Sequence, residues 1–306
     1  MTGVSVAIMT DETGWHTARL KAALRARNCS CRYVDLADCR FETTWAAHGL
    51  VIPGYGRGLP DAVIVRGIAG GSFEQVTLRL GILHALRELG IPVYNDARSI
   101  ERSVDKAMTG FLLHRAGVAT PATWTSESAA HARRRVVREA AAGREVVLKP
   151  LFGSQGRGLQ RLGATPLPAL ETYGSVAHLQ RFVPPAAGPA HDWRILVIGA
   201  SVVAAMRREG RSWIHNVSQG ARCVGDDAPE AFDRLALRAC AALGLDYAGV
   251  DLIPDPDAPE GARVLEVNGI AAWQGLQRAT GVDIASRLVD DLLLRKLPAT
   301  LAGRAA

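Results

Sequence analysis

The first 95 residues alternate two apolar periods. VSVAIM (residues 4–9), CRYVDL (31–36), DAVIVRG (61–67) and IPVYN (91–95) are short runs rich in aliphatic and β-branched residues, the composition of buried strands. Between them, HTARLKAALRARN (16–28) and SFEQVTLRLGILHALRELG (72–90) repeat apolar positions at helical spacing. This order predicts βαβ units and a small parallel sheet with helices on its faces. GYGRGL (54–59) is rich in glycine, but a strand follows it where a dinucleotide fingerprint needs a helix, so it reads as a turn.

The pattern then changes. SIERSVDKAMTGFLLHRAG (99–117) predicts a helix, with Pro121 marking its exit. VATPATWT (118–125), REVVLKPL (144–151) and AHLQRFVPP (177–185) predict strands, and a basic helix, HARRRVVREAAAGR (131–144), lies between the first two. PPAAGPA (184–190) is a loop and a candidate boundary. Beyond it RILVIG (194–199), SVVAAMRRE (201–209), DYAGVDLIPD (246–255) and ARVLEVNG (262–269) read as hairpin-like strands. Helices are expected from Pro229 to Leu243 and after Gly281. Units are therefore placed at 1–95, 96–185 and 186–306.

Composition narrows the picture only slightly. A chain of 306 residues with 48 % hydrophobic content can fill two or three cores. The formal charge of +6 suits an anionic ligand, but the basic residues are spread along the chain, and no aromatic–basic interleaving points to nucleic acid. The 131–144 segment reads as a helix with a solvated basic face. MTGVSVAIMTDE lacks the charged start of a signal peptide, and no apolar run nears the roughly 18 residues of a membrane span, so a cytoplasmic protein is expected. Cys29, Cys31 and Cys39 do not have a zinc spacing, and the five cysteines read as reduced structural thiols.

Two stretches carry chemistry. In VVLKPLFGSQGRGLQRL (146–162), Lys149 precedes Gly153, Gly156 and Gly158, whereas a phosphate loop of the Walker type has its lysine after the glycines. Glycines without a Cβ let backbone N–H groups curl over an anion, with Lys149 reaching in from the strand below. An ordinary hairpin with a glycine-rich turn fits the same residues. In AGVDLIPD and VLEVNG, Glu266 and Asn268 are two apart on a strand and share a face, and Asp251 can join them from a neighbouring strand. Three oxygen donors suit a hard cation such as Mg²⁺; acids at exposed strand ends are the other reading. Asp192, Arg194, Arg207, Arg208 and Asn216 lie between the two stretches.

The order of these residues resembles the ATP-grasp superfamily, most closely its RimK-type amino-acid ligases, over about residues 90–290. The resemblance implies an α/β and α+β fold: a Rossmann-like pre-ATP-grasp domain (1–95), a central ATP-grasp subdomain with a glycine-rich lid (96–185) and a C-terminal subdomain with the metal site (186–306). Lys106 and Lys149 would be the two nucleotide lysines. Gly153, Ser154, Gln155, Gly156 and Gly158 would cover the phosphates. Gln180, Arg181, Phe182 and Val183 would hold adenine, where relatives carry Q-E-Y-I. Asp192 would contact the ribose or order the hinge. Arg207 and Asn216 would face the γ-phosphate and the acyl group, and together with Lys149 make the catalytic set, while Arg208 on the opposite strand face would be structural. Asp251, Glu266 and Asn268 would bind two Mg²⁺ ions, with Mn²⁺ as a substitute.

Such enzymes convert a carboxylate and ATP into an acylphosphate and ADP, then let an amine displace phosphate. NGIAAWQGLQRATGVDIA (268–285) resembles the subgroup that joins L-glutamate to small molecules or cofactors, so a tetrahydromethanopterin-like acceptor and a homo-oligomer are expectations from resemblance. A ligase for an amino-acid carrier protein or a protein C-terminus is one alternative. A nucleotide-binding regulator without turnover is another, disfavoured by the intact Lys106, Lys149, Asp251, Glu266 and Asn268.

Overall fold

The computed structural model describes residues 3–153, 156–163, 165–185, 190–210, 212–215 and 220–298. The chain opens with β1 (Ser5–Met9), α1 (Trp15–Arg25) and β2 (Ser30–Val34), followed by a small hairpin of β3 (Arg40–Phe41) and β4 (Leu50–Val51). Then come β5 (Ala62–Val65), α2 (Phe73–Glu88) and β6 (Val93–Tyr94). The first sheet is parallel, in the order β2-β1-β5-β6. Leu20 and Leu24 of α1 pack with Val6, Ile8 and Ile64; Ile82, Leu83 and Leu86 of α2 pack with Ala7, Met9 and Val63. Both strand faces are buried, which explains apolar runs without alternation.

The predicted helix at 99–117 is two: α3 (Ala97–Val104) and α4 (Lys106–Arg115). Asp105 adopts an extended conformation between them, and its carboxylate accepts from the N–H groups of Ala107 and Met108. This N-cap satisfies donors that the break exposes and sets Lys106 at the first position of α4. A second, antiparallel sheet follows, built from β7 (Thr123–Ser126), α5 (Ala129–Ala141), β8 (Val146–Lys149), β9 (Gln160–Leu162) and β10 (Ala177–Arg181), in the order β7-β10-β8-β9. Ala132 and Val136 of α5 cover it. The basic face of α5 is not wholly solvated, because buried Glu139 gathers Arg135, Arg144 and Arg181.

The third sheet, in the order β13-β12-β11-β14-β15, comprises β11 (His191–Ile198), β12 (Ser201–Glu209), β13 (Arg222–Gly225), β14 (Tyr247–Pro254) and β15 (Ala262–Asn268). One face is covered by α6 (Glu230–Leu243), through Phe232, Leu235 and Ala239. The other face meets α7 (Gln274–Thr280), α8 (Ile284–Asp291) and α1 in one continuous core. The predicted C-terminal helix thus joins the first and third sheets, with Arg27 of the first paired to Asp290 of α8. Fully buried Asn95 pins the same junction. Its Nδ2 donates to the carbonyls of Tyr247 (2.8 Å) and Gly269 (2.7 Å), and its Oδ1 accepts from the backbone of Asp246 and Tyr247. The strands β3, β4 and β13 and the helix α7 are not legible in the pattern, being two to seven residues long. All five cysteines are free thiols, and no described helix is long and apolar enough to cross a membrane.

Candidate active site

A cleft opens between the second and third sheets, lined by residues of both. Its apolar part is made by Val147, Phe182, Val183, Trp213, Ile253 and Leu265, a slot suited to a flat ring. Phe182 meets Trp213 edge to face at 5.9 Å, and the Arg161 guanidinium sits 4.0 Å from the Phe182 ring centroid. The N–H of Phe182 is already bonded to the Glu145 carbonyl. Arg181 points away: its guanidinium is held by Glu139 at 3.0 Å and lies near the Trp124 ring. The Arg181 side chain, a departure from the relatives' Q-E-Y-I pattern, is thus held in an ion pair, while residues 181–183 line the slot.

The polar part contains both expected lysines. The Lys106 amine donates to the Gly153 carbonyl at 2.7 Å, and the Lys149 amine to Oε1 of buried Gln180 at 2.6 Å. Neither lysine forms an ion pair among the described residues. Burial holds both below the ordinary lysine range, Lys149 at about 8, with Glu266 pulling the other way. The same two positive charges, added to burial, push neighbouring His178 down to about 3. Buried cations without counter-ions are costly, so an anionic ligand between them relieves the site. β8 and β9 pair as a hairpin, with Val146 opposite Leu162, and Gly153 and Gly156 of their connection line the cleft. At Gly158 (φ +69°) a Cβ would lie 2.9 Å from the Pro150 ring, so only glycine lets the returning chain close on the strand. Ser154 and Gln155 lie outside the described residues, as does Asn216.

The acids come together as their spacing suggested. Asp251 and Glu266 are directly opposite on β14 and β15, and Asn268 lies opposite Gly249, one step along the same face. Glu266 accepts no hydrogen bond from a described residue. Asn268 donates from Nδ2 to the Gly249 carbonyl, which leaves its Oδ1 as an acceptor. Asp251 is bound by Arg194 through both oxygens and by Arg208 at 3.0 Å. Burial opposes its charge, but the two arginines outweigh burial and hold its carboxyl below the usual range. Asp251 Oδ2 accepts from both arginines, but its Oδ1 accepts from Arg194 alone and keeps a lone pair, so one oxygen of Asp251, the Glu266 carboxylate and an amide oxygen fit a hard cation. Among the described residues no three His, Cys, Asp or Glu side chains cluster, as expected when the third donor is an amide.

Arg207 is a correction. It lies on the far side of β12, paired with Asp226 and Glu209, and does not line the cleft. Arg208 does, and is nearly fully buried. β12 pairs with β11 so that Arg208 faces Asp192, and the two make a bidentate pair at 2.7 Å and 2.7 Å. Asp192 also lines the cleft, tied to Arg208 rather than free for a ribose. Burial pushes its carboxyl up to about 6 against the pull of Arg208. Alternation along a strand separates Arg207 from Arg208, but which one faces inward depends on register, which only the β11 pairing sets. Sequence reasoning also missed His215. It is buried in the same wall, and its Nε2 has no partner among the described residues; a single histidine beside a loop gave no signal.

Comparison with known proteins agrees with this geometry. Residues 4–100 match the RimK PreATP-grasp domain and residues 103–292 the RimK-like ATP-grasp domain. The chain is 35 % identical over 242 residues to the tetrahydromethanopterin:alpha-L-glutamate ligase of Methanocaldococcus jannaschii, covering 76 % of this chain and 79 % of that one. It is 30 % identical over 293 residues to a probable alpha-L-glutamate ligase of Halorhodospira halophila, covering 93 % of each. Among solved structures it superposes on the ATP-grasp ligase PsnB, complexed with a precursor variant, Mg and ADP, with a TM-score of 0.74 at 21 % identity, over 97 % of this chain and 100 % of the other. With two adjoining domain matches, a cleft between its second and third sheets and relatives that are themselves ligases, the chain belongs to the RimK family of ATP-grasp enzymes and is an ATP-dependent, ADP-forming ligase.

Proposed function

We propose that the cleft binds ATP with its adenine in the Phe182–Trp213 slot and its phosphates between Lys106 and Lys149, and that the enzyme adds L-glutamate to a carboxylate of a small-molecule acceptor. The observation that carries this is the pair of partly buried lysines that form no ion pair among the described residues, set against Asp251 and Glu266 on the next sheet. The glutamate ligases among the relatives support the choice of amino acid, and their tetrahydromethanopterin acceptor is the specific candidate. An acceptor carboxylate oxygen attacks the γ-phosphorus, and the bond to the bridging oxygen breaks to release ADP. The glutamate amine then attacks the acyl carbon, loses a proton, and expels phosphate. Lys106, Lys149 and Arg208 offset the phosphoryl charge as it moves, and the glycine loop excludes water that would hydrolyse the acylphosphate. Asp251, Glu266 and Asn268 would hold the one or two Mg²⁺ ions, which supply further charge neutralisation when bound.

Incubation with ATP, Mg²⁺, L-glutamate and a small-molecule extract, read by mass spectrometry, tests the reading. A product heavier by one glutamyl unit with matching ADP establishes it. ADP without that product transfers the reaction to another amino acid or to a peptide or protein acceptor, and no ADP with any fraction rejects it.

Glu266→Gln keeps size and removes charge. The Mg²⁺ concentration for half-maximal rate is expected to rise by about tenfold or more. Glu266 also holds up the pKa of both lysines, so the alkaline limb of the rate profile should move to lower pH. A metal profile and alkaline limb like those of the unmodified enzyme would remove Glu266 from the site.

A further inference from the structure

A second cavity lies outside the ATP cleft, at the carboxyl ends of β1 and β5. It holds about 590 Å³ of open space and is lined by Thr10, Asp11, Glu12, His16, Thr17 and Arg66, among others. Its place in the fold is distinctive. In the order β2-β1-β5-β6 the chain leaves β1 toward one edge of the sheet and β5 toward the other. The connecting helices α1 and α2 accordingly lie on opposite faces. The two connections splay apart at this point, and the crevice outside the carboxyl ends of such strands is where open α/β sheets take ligands.

The side chains there are unbalanced in a specific way. Arg66 follows β5 and is partly buried, yet no acid lies within ion-pair distance of it among the described residues. Its Nη1 donates to the Ala271 carbonyl at 2.8 Å, its guanidinium stands 4.7 Å from the Trp273 ring centroid and interacts with the Tyr247 hydroxyl, and its buried Nε has no hydrogen-bond partner among the described residues. Trp273 is itself fully buried with an unpartnered Nε1, and its backbone N–H donates to Nε2 of His16. His16 therefore carries its proton on Nδ1, as a donor. Burial and Arg66 keep His16 neutral, at about 4. α1 begins beside it with Gly14 at its cap, whose N–H donates to the Thr17 hydroxyl at 2.8 Å, and with no acid in its first turn, so an anion there meets no competing carboxylate. Two acids, Asp11 and Glu12, line the other part of the same crevice. Asp11 reaches over Gly67, where a Cβ would lie 2.1 Å from its Oδ1. A cation and two acids that, among the described residues, form no ion pair share one cavity, a set that suits a zwitterion. Ala271 and Trp273 stand three and five residues beyond Asn268, so the crevice adjoins the segment that leaves the carboxylate site.

We propose that this crevice is the amino-acid site of the enzyme, with the substrate carboxylate on Arg66 and the start of α1, and its amino group toward Asp11 and Glu12. The proposal rests on the ligase reading above and adds the location and polarity of the second substrate.

Calorimetric titration of the full chain with L-glutamate, in the presence of AMPPNP and Mg²⁺, tests it. Arg66→Met is expected to weaken glutamate binding at least about 30-fold, the effect of losing a charged hydrogen-bonded pair, while AMPPNP binds as before. Arg66→Lys should recover part of the loss. Asp11→Asn, at an exposed position that cannot unfold the sheet, should weaken binding of glutamate and leave AMPPNP untouched. Glutamate binding equal to the unmodified protein in Arg66→Met or in Asp11→Asn overturns the crevice and leaves the glutamate reading standing. If a different amino acid of the standard twenty binds, and Arg66→Met removes that binding, the crevice stands and the glutamate reading falls. If none of the twenty binds the unmodified protein, the crevice is overturned.

Discussion

Replacing Lys149 with methionine is expected to abolish turnover and, at the same time, to raise the melting temperature of the nucleotide-free protein. The two effects have one cause. Lys149 sits inside the cleft with its amine on the Gln180 amide and no carboxylate partner. Burial pushes its pKa from 10.5 to about 8, which sets on the order of 3 kcal/mol against keeping it charged. Methionine has similar length and no charge to desolvate, so the empty cleft becomes less strained electrostatically. The phosphates of ATP lose that charge, and a loss of at least about 100-fold in kcat/KM is expected, near 3 kcal/mol of transition-state binding. The pH dependence has a definite sign. Between about 8 and 10.5 the unfolded chain binds more protons at this lysine than the folded one, so stability of the unmodified protein gains with rising pH across that window. Its affinity for ATP falls over the same range, as the lysine becomes neutral. The methionine variant lacks both trends. A variant that melts lower than the parent, with the same pH slope, would show that Lys149 is not an unpaired buried cation.

The parts of this site that could be read from the sequence are those fixed by short-range geometry. Glu266 and Asn268 share a face because strand side chains alternate, and Lys149 precedes its glycines by a spacing that survives any register. The three-layer plan of the first domain followed from apolar runs separated by helical repeats. What the sequence did not decide depended on pairing between distant strands or on a local break. Arg207 and Arg208 are adjacent, so a single step of register chooses which enters the cleft, and that step is set by β11, where Asp192 stands opposite Arg208. The helix of Lys106 reads as continuous, because Asp105 is compatible with a helical repeat and acts as a cap only in its observed conformation. Arg181 kept its place on the hinge strand but turned toward Glu139, an acid 42 residues earlier on a helix whose charge pattern looked like plain solvent exposure. Arg66 and His16 drew no notice because each is ordinary alone. Their meaning comes from two strands side by side in the first sheet and from a tryptophan more than 200 residues away.

Arg208→Met is expected to be the most damaging substitution in the third sheet, and Arg207→Met, one residue earlier, among the mildest. Arg208 lies between Asp192 and Asp251, and all three are buried. Its removal leaves Asp192 with no cationic hydrogen-bond partner and Asp251 with Arg194 alone. Breaking a buried pair by deleting one partner costs roughly 3–5 kcal/mol, enough to expose most of the margin of an ordinary domain. The sign of the pH effect distinguishes this from a simple packing defect. Asp192 already titrates near 6 in the intact network because burial disfavours its charge, and without Arg208 its pKa rises further. The folded variant then binds a proton that the unfolded chain lacks, so its stability falls as pH rises from about 4 through that raised pKa. The deficit relative to the parent should be smaller at pH 5 than at pH 8. Arg207 pairs with Asp226 and Glu209 at a partly exposed edge, where an ion pair is worth about 0–1 kcal/mol. Urea denaturation of both variants at the two pH values, with single-turnover rates of ADP formation on whatever remains folded, would separate them. Equal losses in the two variants, or a deficit in Arg208→Met that does not change with pH, would mean that the inward arginine is not the partner of the buried acids.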